Sequence, residues 1–312
     1  MPVSDRDLRA VLAQILRRPV SELARRPFPY SSSHCIEELD VLDGEGGRLA
    51  MLFKDLGAVT QRWAKPPFVR DPLREIAAYE VILAPGGVDA PACLGAHVDE
   101  RQERAWLFLE KLEGRPLWQI GEPQAWTTAA RWLADLHGRG LPTSEPRLLR
   151  YDARWFGRWL ERALARTPPG ALDTLRENYR RVAERLSSWP TTFLHGEFYP
   201  SNVLLQPEES GFRVRPLDWE MAGVGPGLLD LAALISGRWT EEERRSYARA
   251  YFDASPDRLR RRGEADFLDA LAHCRLHVAI QWLGWSAAWE PPGEHGHDWL
   301  AEALRLGEEL EL

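Results

Sequence analysis

The amino-acid sequence predicts an α+β fold of two lobes, the first rich in strands and the second mainly helical. The chain has 312 residues, enough for two domains or for one two-lobed enzyme. Alternating apolar and polar residues fill most of the first third, whereas apolar residues at helical spacing dominate from Glu122 onward. Runs of strands followed by runs of helices are typical of the α+β class. We therefore expect a first lobe over residues 1–112 and a second over residues 113–312.

Each element of the first lobe follows from its periodicity and its turn residues. Ser4 is a suitable N-cap for the first helix. Two alternating stretches on either side of the glycine-rich residues 44–47 have the pattern of a β-hairpin. Asp71 and Pro72 suit the cap and the first position of a second helix. The lobe is thus predicted to contain a helix, a hairpin, a helix and two strands, at residues 4–17, 27–56, 71–83, 92–97 and 104–112.

The second lobe is predicted to be mainly helical, with short strands on both sides of one polar cluster. Apolar residues recur at helical spacing in three segments before the cluster and again after Gly227. Short apolar runs precede and follow the cluster, which is the pattern of buried strands. The helices are predicted at residues 122–138, 152–167, 171–188 and beyond 227, and the strands at residues 191–194, 202–206 and 212–217.

Composition excludes several classes of protein. The 44% hydrophobic and 28% charged residues match a folded globular protein rather than a disordered one. No apolar run approaches the roughly 18 residues of a membrane span, and the N-terminal residues lack the layout of a signal peptide, so we expect a cytoplasmic protein without a membrane partner. The net charge of -7 argues against a nucleic-acid partner. The widely spaced cysteines exclude a disulfide framework and a paired-cysteine zinc site.

Lysine is rare in this chain, and one lysine has an unusual setting. Only Lys54, Lys65 and Lys111 occur among 40 basic residues. Lys54 lies within an apolar strand, and a buried lysine requires an anionic partner. The following helix offers Glu75 and Glu80. These two side chains point about 140° apart on a helix, so only one of them can face Lys54.

The polar cluster of the second lobe carries the strongest chemical signal. Glu197 and Asn202 lie on a loop between apolar strands, and Asp218 opens the next loop. Carboxylate and amide oxygens of this kind suit Mg²⁺, which takes one or two protein oxygens and completes its shell with phosphate and water. A separate carboxylate nearby can accept a proton from a substrate hydroxyl. The cluster therefore indicates metal-assisted chemistry on a phosphate.

The same residues carry a resemblance to a known family. HGEFYPSNVLL at residues 195–205, followed by LDWE at residues 217–220, resembles the catalytic core of the aminoglycoside phosphotransferase and choline kinase-like family. The family pattern is His-Gly-Asp, four residues, Asn, and then Asp-x-Glu or Asp-x-Asp after a β-hairpin. The likeness extends over residues 27–234 in the order of elements. It implies a protein-kinase-like fold, with ATP as donor, Mg²⁺ as cofactor and a hydroxyl of a small molecule as acceptor.

On the nucleotide side, the resemblance implies that Lys54 contacts the α- and β-phosphates and that Glu75, rather than Glu80, pairs with it. A serine-rich segment would cover the phosphates, and the backbone of a hinge segment would hydrogen-bond the base. The serines are Ser31, Ser32 and Ser33, and the hinge residues are Glu110, Lys111 and Leu112.

On the catalytic side, the resemblance implies that Asn202 and Asp218 hold Mg²⁺ and that Glu220 contacts a second ion. His195 and Asp230 match family residues that brace the catalytic loop. These residues would form the metal site and its support.

Glu197 departs from the family pattern, which has a catalytic aspartate at this position. The glutamate side chain is one methylene longer. Phosphoryl transfer depends chiefly on positioning and charge neutralisation, so a longer carboxylate can still accept the hydroxyl proton. We therefore retain Glu197 as the catalytic base. The alternative is a nucleotide-binding regulator, or pseudokinase, with little catalysis.

Two further features are open to more than one interpretation. Trp282, Trp285 and Trp289 recur at helical spacing, which fits either core packing or the wall of an acceptor site. His273 and His277 lie one helical turn apart, but no glutamate follows His273 as it does in HExxH metalloproteases. A zinc site is therefore disfavoured.

Overall fold

Residues 3–29, 34–57, 65–285 and 296–312 are described by the computed structural model. The chain divides into two compact units: Met1–Arg62 with Asp71–Glu113, and Trp63–Arg70 with Gly114–Leu312. The first unit contains a β-sheet and the second most of the helices, which confirms the α+β class. The short segment Trp63–Arg70 belongs to the second unit, although the residues on both sides of it belong to the first. The periodicity of the sequence does not indicate this assignment.

The described part of the first unit forms a five-stranded antiparallel sheet in the order β1-β2-β3-β5-β4. The predicted hairpin is present as β2 and β3, with Leu42 opposite Arg48 across the glycine-containing turn. β1 escaped prediction because charged residues occupy much of it and leave most of its side chains exposed, which blurs the alternation. The strands are β1 Val20–Pro27, β2 Cys35–Asp43, β3 Arg48–Asp55, β4 Cys93–Asp99 and β5 Arg104–Glu110.

Helix α1, Asp5–Leu16, packs against this sheet. Ser4 accepts a hydrogen bond from the backbone N–H of Asp7 at 3.1 Å, so the predicted N-cap is present. Leu8 of α1 is fully buried in the same cluster as Phe53 of β3. Because side chains alternate along a strand, Lys54 points to the opposite face from Phe53.

The second predicted helix is shorter and less regular than expected. Helix α2 spans Arg74–Ala77 and continues in a π-helical turn, Ala78–Leu83. Asp71 Oδ1 accepts a hydrogen bond from the backbone N–H of Leu73 at 2.9 Å, so Asp71 forms a turn before the helix and does not cap it. The prediction at residues 71–83 therefore began three residues too early and missed the wider helical turn.

Within the described residues, the second unit has two small three-stranded sheets, in the orders β10-β9-β6 and β7-β11-β8. The hairpin of β9 and β10 is antiparallel, and Val203 pairs with Pro216 at its open end. The strands are β6 Arg115–Pro116, β7 Leu149–Arg150, β8 Thr191–Leu194, β9 Val203–Glu208, β10 Gly211–Pro216 and β11 Gly223–Pro226.

Helices make up most of the second unit, and α9 lies at their centre, packed against α4, α6 and α10. No helix in the part of the chain that the structure describes combines the length and the apolar character needed to cross a membrane. The helices are α3 Pro123–Gly138, α4 Ala153–Leu164, α5 Asp173–Ser187, α6 Leu228–Leu234, α7 Glu241–Ala254, α8 Asp257–Arg260, α9 Glu264–Trp285 and α10 Trp299–Glu309.

Candidate active site

The hairpin of β9 and β10 brings together two candidate metal ligands that are distant in sequence. Asn202 directly precedes β9, and Asp218 follows β10 after one intervening residue, Leu217. The backbone N–H of Leu217 donates to the carbonyl oxygen of Asn202 at 2.7 Å, which continues the hairpin pairing. The antiparallel strands therefore place these two residues side by side at the open end of the hairpin.

Three carboxylates meet at this end of the hairpin. Oxygen atoms of Glu197, Asp218 and Glu220 all lie within 4.8 Å of one another, and each side chain is half-buried. Carboxylates this close repel one another unless a cation or a proton lies among them. The set consists only of hard oxygen donors, which fits Mg²⁺ and does not fit a zinc site of histidine or cysteine ligands. We call these residues the carboxylate cluster.

The backbone around the carboxylate cluster is held in an unusual conformation. Asp218 has φ 63° and ψ 69°, in the left-handed region that non-glycine residues seldom adopt. Asn202 donates from Nδ2 to the backbone carbonyl of Glu197 at 3.0 Å. Since its amide nitrogen faces this carbonyl, its amide oxygen is the atom suited to a metal ion.

Asp230, at the start of α6, supports the loop that carries Glu197. Its carboxylate is completely buried and accepts hydrogen bonds from the backbone N–H groups of His195 and Gly196, each at 2.8 Å. His137 Nε2 also lies 3.2 Å from this carboxylate, while His137 Nδ1 lies 2.8 Å from the Tyr251 hydroxyl. Burial raises the pKa of the Tyr251 hydroxyl, with a smaller contribution from Asp230, so the hydroxyl stays protonated beside His137 Nδ1. Because the Asp230 carboxylate is an acceptor, His137 Nε2–H donates to it.

His195 and Gly196 help to determine the conformation of this loop through contacts of their own. His195 Nε2 donates to the carbonyl oxygen of Leu217 at 2.8 Å, and its Nδ1 accepts from the backbone N–H of Glu197 at 3.3 Å. Gly196 has φ 87°, and a Cβ atom there would lie 2.2 Å from the carbonyl oxygen of Met221. His195 therefore links the loop to the end of β10, and Gly196 is needed for the close approach.

In the first unit, Lys54 pairs with Glu75. Lys54 Nζ lies 2.7 Å from both carboxylate oxygens of Glu75, and the residues are only 4% and 1% exposed. Glu80 is exposed on the π-helical turn. Of the two glutamates that the sequence offered, Glu75 is thus the partner. A pair this deeply buried requires close contact of both charges, since either one alone would be strongly unfavourable there.

The predicted hinge residues lie at the end of β5. Glu110 exchanges backbone and side-chain hydrogen bonds with Ala92, at 2.9 and 3.0 Å. Lys111 Nζ lies 3.0 Å from Glu38 Oε2 and lowers the pKa of that carboxyl, and Leu112 is half-buried. The predicted phosphate-covering serines, Ser31, Ser32 and Ser33, lie outside the described residues.

Lys65 lies at the carboxylate cluster, although no role was assigned to it from the sequence. Its Nζ forms an ion pair with Glu220 Oε2, and both side chains are largely buried. The motif around residues 195–220 contains no hint of this partner, which lies 155 positions away along the chain. The available signal was composition, because Lys65 is one of so few lysines.

The tryptophans divide between the two interpretations that the sequence left open. Trp285 stacks on Trp159 at 5.4 Å between ring centroids, which is core packing between α9 and α4. Trp282 stacks on Trp299 at 5.2 Å and meets the edge of Tyr199, in the catalytic loop, at 5.1 Å. Trp289 lies outside the described residues.

The two histidines of α9 do not converge on a metal. His277 Nδ1 lies 2.7 Å from the hydroxyl of Tyr179, and His273 Nδ1 lies 2.8 Å from the carbonyl oxygen of Asp269. Among the residues that the structure describes, the group able to hold a metal is the carboxylate cluster, which contains no histidine.

Comparison with known proteins agrees with this geometry. The sequence profile of the family described as "Phosphotransferase enzyme family" matches residues 43–280. No curated protein shows significant sequence similarity to the chain.

Solved structures of small-molecule kinases share the fold. A choline/ethanolamine kinase family protein from Mesorhizobium loti has a TM-score of 0.60 at 19% identity, covering 98% of this chain and 93% of its own. A microcompartment-associated aminopropanol kinase has a TM-score of 0.62 at 14% identity, covering 97% and 96%. An aminoglycoside phosphotransferase from Streptomyces rimosus, in complex with ADP and streptomycin, has a TM-score of 0.51 at 20% identity, covering 86% and 98%. The predicted kinase-like fold is thereby confirmed.

Proposed function

Because this chain belongs to the phosphotransferase enzyme family, we propose that it transfers the γ-phosphoryl group of ATP to a hydroxyl of a small molecule, with Mg²⁺ as cofactor. The observation that carries the proposal is the carboxylate cluster beside the anchored amide of Asn202. This is the oxygen-only donor set that a magnesium-dependent phosphotransferase requires.

On the donor side, Lys54 and the ligands of Mg²⁺ would both contribute to neutralising the negative charge of the ATP phosphates. Glu75 fixes the Lys54 ammonium, and that ammonium would contact the α- and β-phosphates. Asn202 and Asp218 would hold Mg²⁺. When bound, the ion would neutralise charge on the phosphate oxygens as the phosphoryl group moves.

On the acceptor side, Glu197 would orient the attacking hydroxyl and take its proton. The hydroxyl oxygen forms a bond to the γ-phosphorus while the bond from that phosphorus to the bridging oxygen breaks, and ADP leaves with the bonding electrons. The hydroxyl proton passes to the Glu197 carboxylate. The loop bonds from Asp230 to His195 and Gly196 would hold Glu197 in place for this step.

We propose an amino alcohol as the acceptor class. The names of the choline/ethanolamine kinase family protein and of the aminopropanol kinase refer to such compounds, and this chain shares the fold of both proteins. The stacked rings of Trp282 and Trp299 lie next to Tyr199 of the catalytic loop. Aromatic faces attract ammonium groups, so these rings would suit the cationic end of an amino alcohol.

The experiment that tests the donor site is calorimetric titration with ATP, with and without Mg²⁺, together with a turnover assay on a panel of amino alcohols. We expect magnesium-dependent binding in the unaltered protein. Asp218→Ala should lose this dependence and about three orders of magnitude in turnover, because several kcal/mol of charge stabilisation depend on the bound ion. Asp173→Ala, which removes an exposed carboxylate at the start of α5, is the matched control and should behave as the unaltered protein. Unchanged turnover in folded Asp218→Ala would refute the assignment.

A regulator with little catalysis is the second candidate, and Glu197 is the observation that favours it. Its longer side chain reaches the other members of the carboxylate cluster, where it would serve as a metal ligand instead of a base. The variant Glu197→Asp separates the two functions. Magnesium-dependent ATP binding without transfer, and transfer that rises in Glu197→Asp, would establish the regulator.

A further inference from the structure

We propose that Lys65 supplies one of the positive charges of the carboxylate cluster, so that Glu220 binds the Lys65 ammonium and the site takes a single divalent ion. The inference rests on the proposed function, since it concerns the metal content of that same site. It assigns to Glu220 a different partner from the second ion that the family resemblance implied.

The first argument is the burial of the ion pair. Lys65 Nζ contacts Glu220 Oε2, and the two side chains are 8% and 12% exposed. An ammonium shielded from water this well is not easily displaced, because moving it away from the carboxylates would leave its charge both unpaired and poorly hydrated. A divalent ion competing for Glu220 would have to displace it.

The second argument is charge balance. When ionised, Glu197, Asp218 and Glu220 carry three negative charges within a small volume. One divalent ion and one ammonium neutralise these charges. Because Lys65 is built into the protein, this part of the neutralisation does not depend on the metal concentration.

The third argument is the way in which Lys65 is fixed. Arg70 holds the backbone carbonyl of Lys65 with two donors, one of them Nε at 2.9 Å. Phe68, between these two residues, meets Trp155 and Trp159 edge to face, each at 5.3 Å between ring centroids. The segment that carries Lys65 is therefore anchored at several points. A lysine on a mobile surface, by contrast, must lose conformational freedom to form an ion pair.

The test counts bound metal ions directly. Mn²⁺ is used in place of Mg²⁺, with a non-hydrolysable ATP analogue, and protein-bound Mn²⁺ is measured by electron paramagnetic resonance. We expect one ion per unaltered protein. In Lys65→Met, Glu220 loses its ammonium and should take a second, weaker ion. The double variant Lys65→Met with Glu220→Gln should return to one ion, and Arg249→Met, which removes an exposed positive charge elsewhere in the unit, should keep one.

Several outcomes would overturn the inference. Two ions in the unaltered protein, or one ion in a folded Lys65→Met, would show that Lys65 does not take the place of a metal. Glu220→Gln alone provides a measurement that needs no change at Lys65: it should keep one ion, and a loss of one ion would show that Glu220 binds metal. Failure of the unaltered protein to bind any Mn²⁺ with the analogue would overturn the proposed function as well, which distinguishes the two failures.

Discussion

Replacing Asp230 by asparagine tests how the catalytic loop is supported, because the change removes a charge at almost constant size. Oδ1 accepts from Gly196 at 2.8 Å, and Oδ2 accepts from His195 at 2.8 Å and from His137 at 3.2 Å. Asparagine keeps only one acceptor oxygen, so in either orientation its amide group faces at least one backbone N–H. One charge-assisted hydrogen bond, worth about 1.5–3 kcal/mol, is lost, and a buried donor is left unsatisfied at about 1–3 kcal/mol. We expect a loss of stability of about 4 kcal/mol.

Urea unfolding measures this loss, and Tyr251→Phe is the matched control. That variant removes only the neutral hydrogen bond to His137 and should lose about 1 kcal/mol. In conditions where Asp230→Asn remains folded, turnover should fall more than affinity for ADP, because the loop positions Glu197. A loss below about 1 kcal/mol in Asp230→Asn, or equal losses in the two variants, would refute the reasoning.

Two further predictions concern backbone space and acid stability. Gly196→Ala should abolish turnover and lower the free energy of unfolding by more than about 2 kcal/mol, because its Cβ would lie 2.2 Å from both the Met221 carbonyl oxygen and the Tyr151 hydroxyl. Gly237 has a similar positive φ but open space around it, so the control Gly237→Ala should lower the free energy of unfolding by only about 1 kcal/mol in urea unfolding. Burial lowers the pKa of His277 to about 3, whereas in the unfolded chain this pKa has the ordinary value near 6.5. Between these pH values the unfolded state binds one more proton than the folded state, so the free energy of unfolding falls as the pH falls from 6.5 towards 3. The slope should approach about 1.4 kcal/mol per pH unit, and urea titrations of His277→Asn from pH 7 to 4 should lack this component.

The parts of the fold that could be predicted are those in which periodicity and burial coincide. Helix α1 and the hairpin of β2 and β3 each bury one face, so their apolar residues recur with a clear period. Strand β11, Gly223–Pro226, has no such period, although it is completely buried. Its glycines are required by packing instead, because a Cβ at Gly223 would lie 2.4 Å from the ring of Tyr151. A close approach to a residue so distant in sequence leaves no local pattern.

The same distinction holds within the candidate site. The pairing of Lys54 with Glu75 could be predicted because the next predicted helix, 21 residues on, offered two glutamates of which only one can face Lys54, and the family resemblance selected Glu75. The contact between His137 and Asp230 spans 93 residues, and that between Lys65 and Glu220 spans 155. Neither follows from a short motif, since each depends on how separate elements pack.

The positions of the three lysines have a physical explanation in these contacts. Each lysine of this arginine-rich chain forms an ion pair with a glutamate: Lys54 with Glu75, Lys65 with Glu220 and Lys111 with Glu38. A guanidinium is a broad planar fork, whereas an ammonium is a compact charge with three donors that can serve a carboxylate and a phosphate from one point. Arginine at position 54 or 65 would therefore have to displace buried neighbours to keep the same contact. At positions 54 and 65, where compactness is required, the chain has lysine. The count of residues marked these lysines as rare, but only the apolar strand around Lys54 indicated a role, and the partner of Lys65 follows from the packing alone.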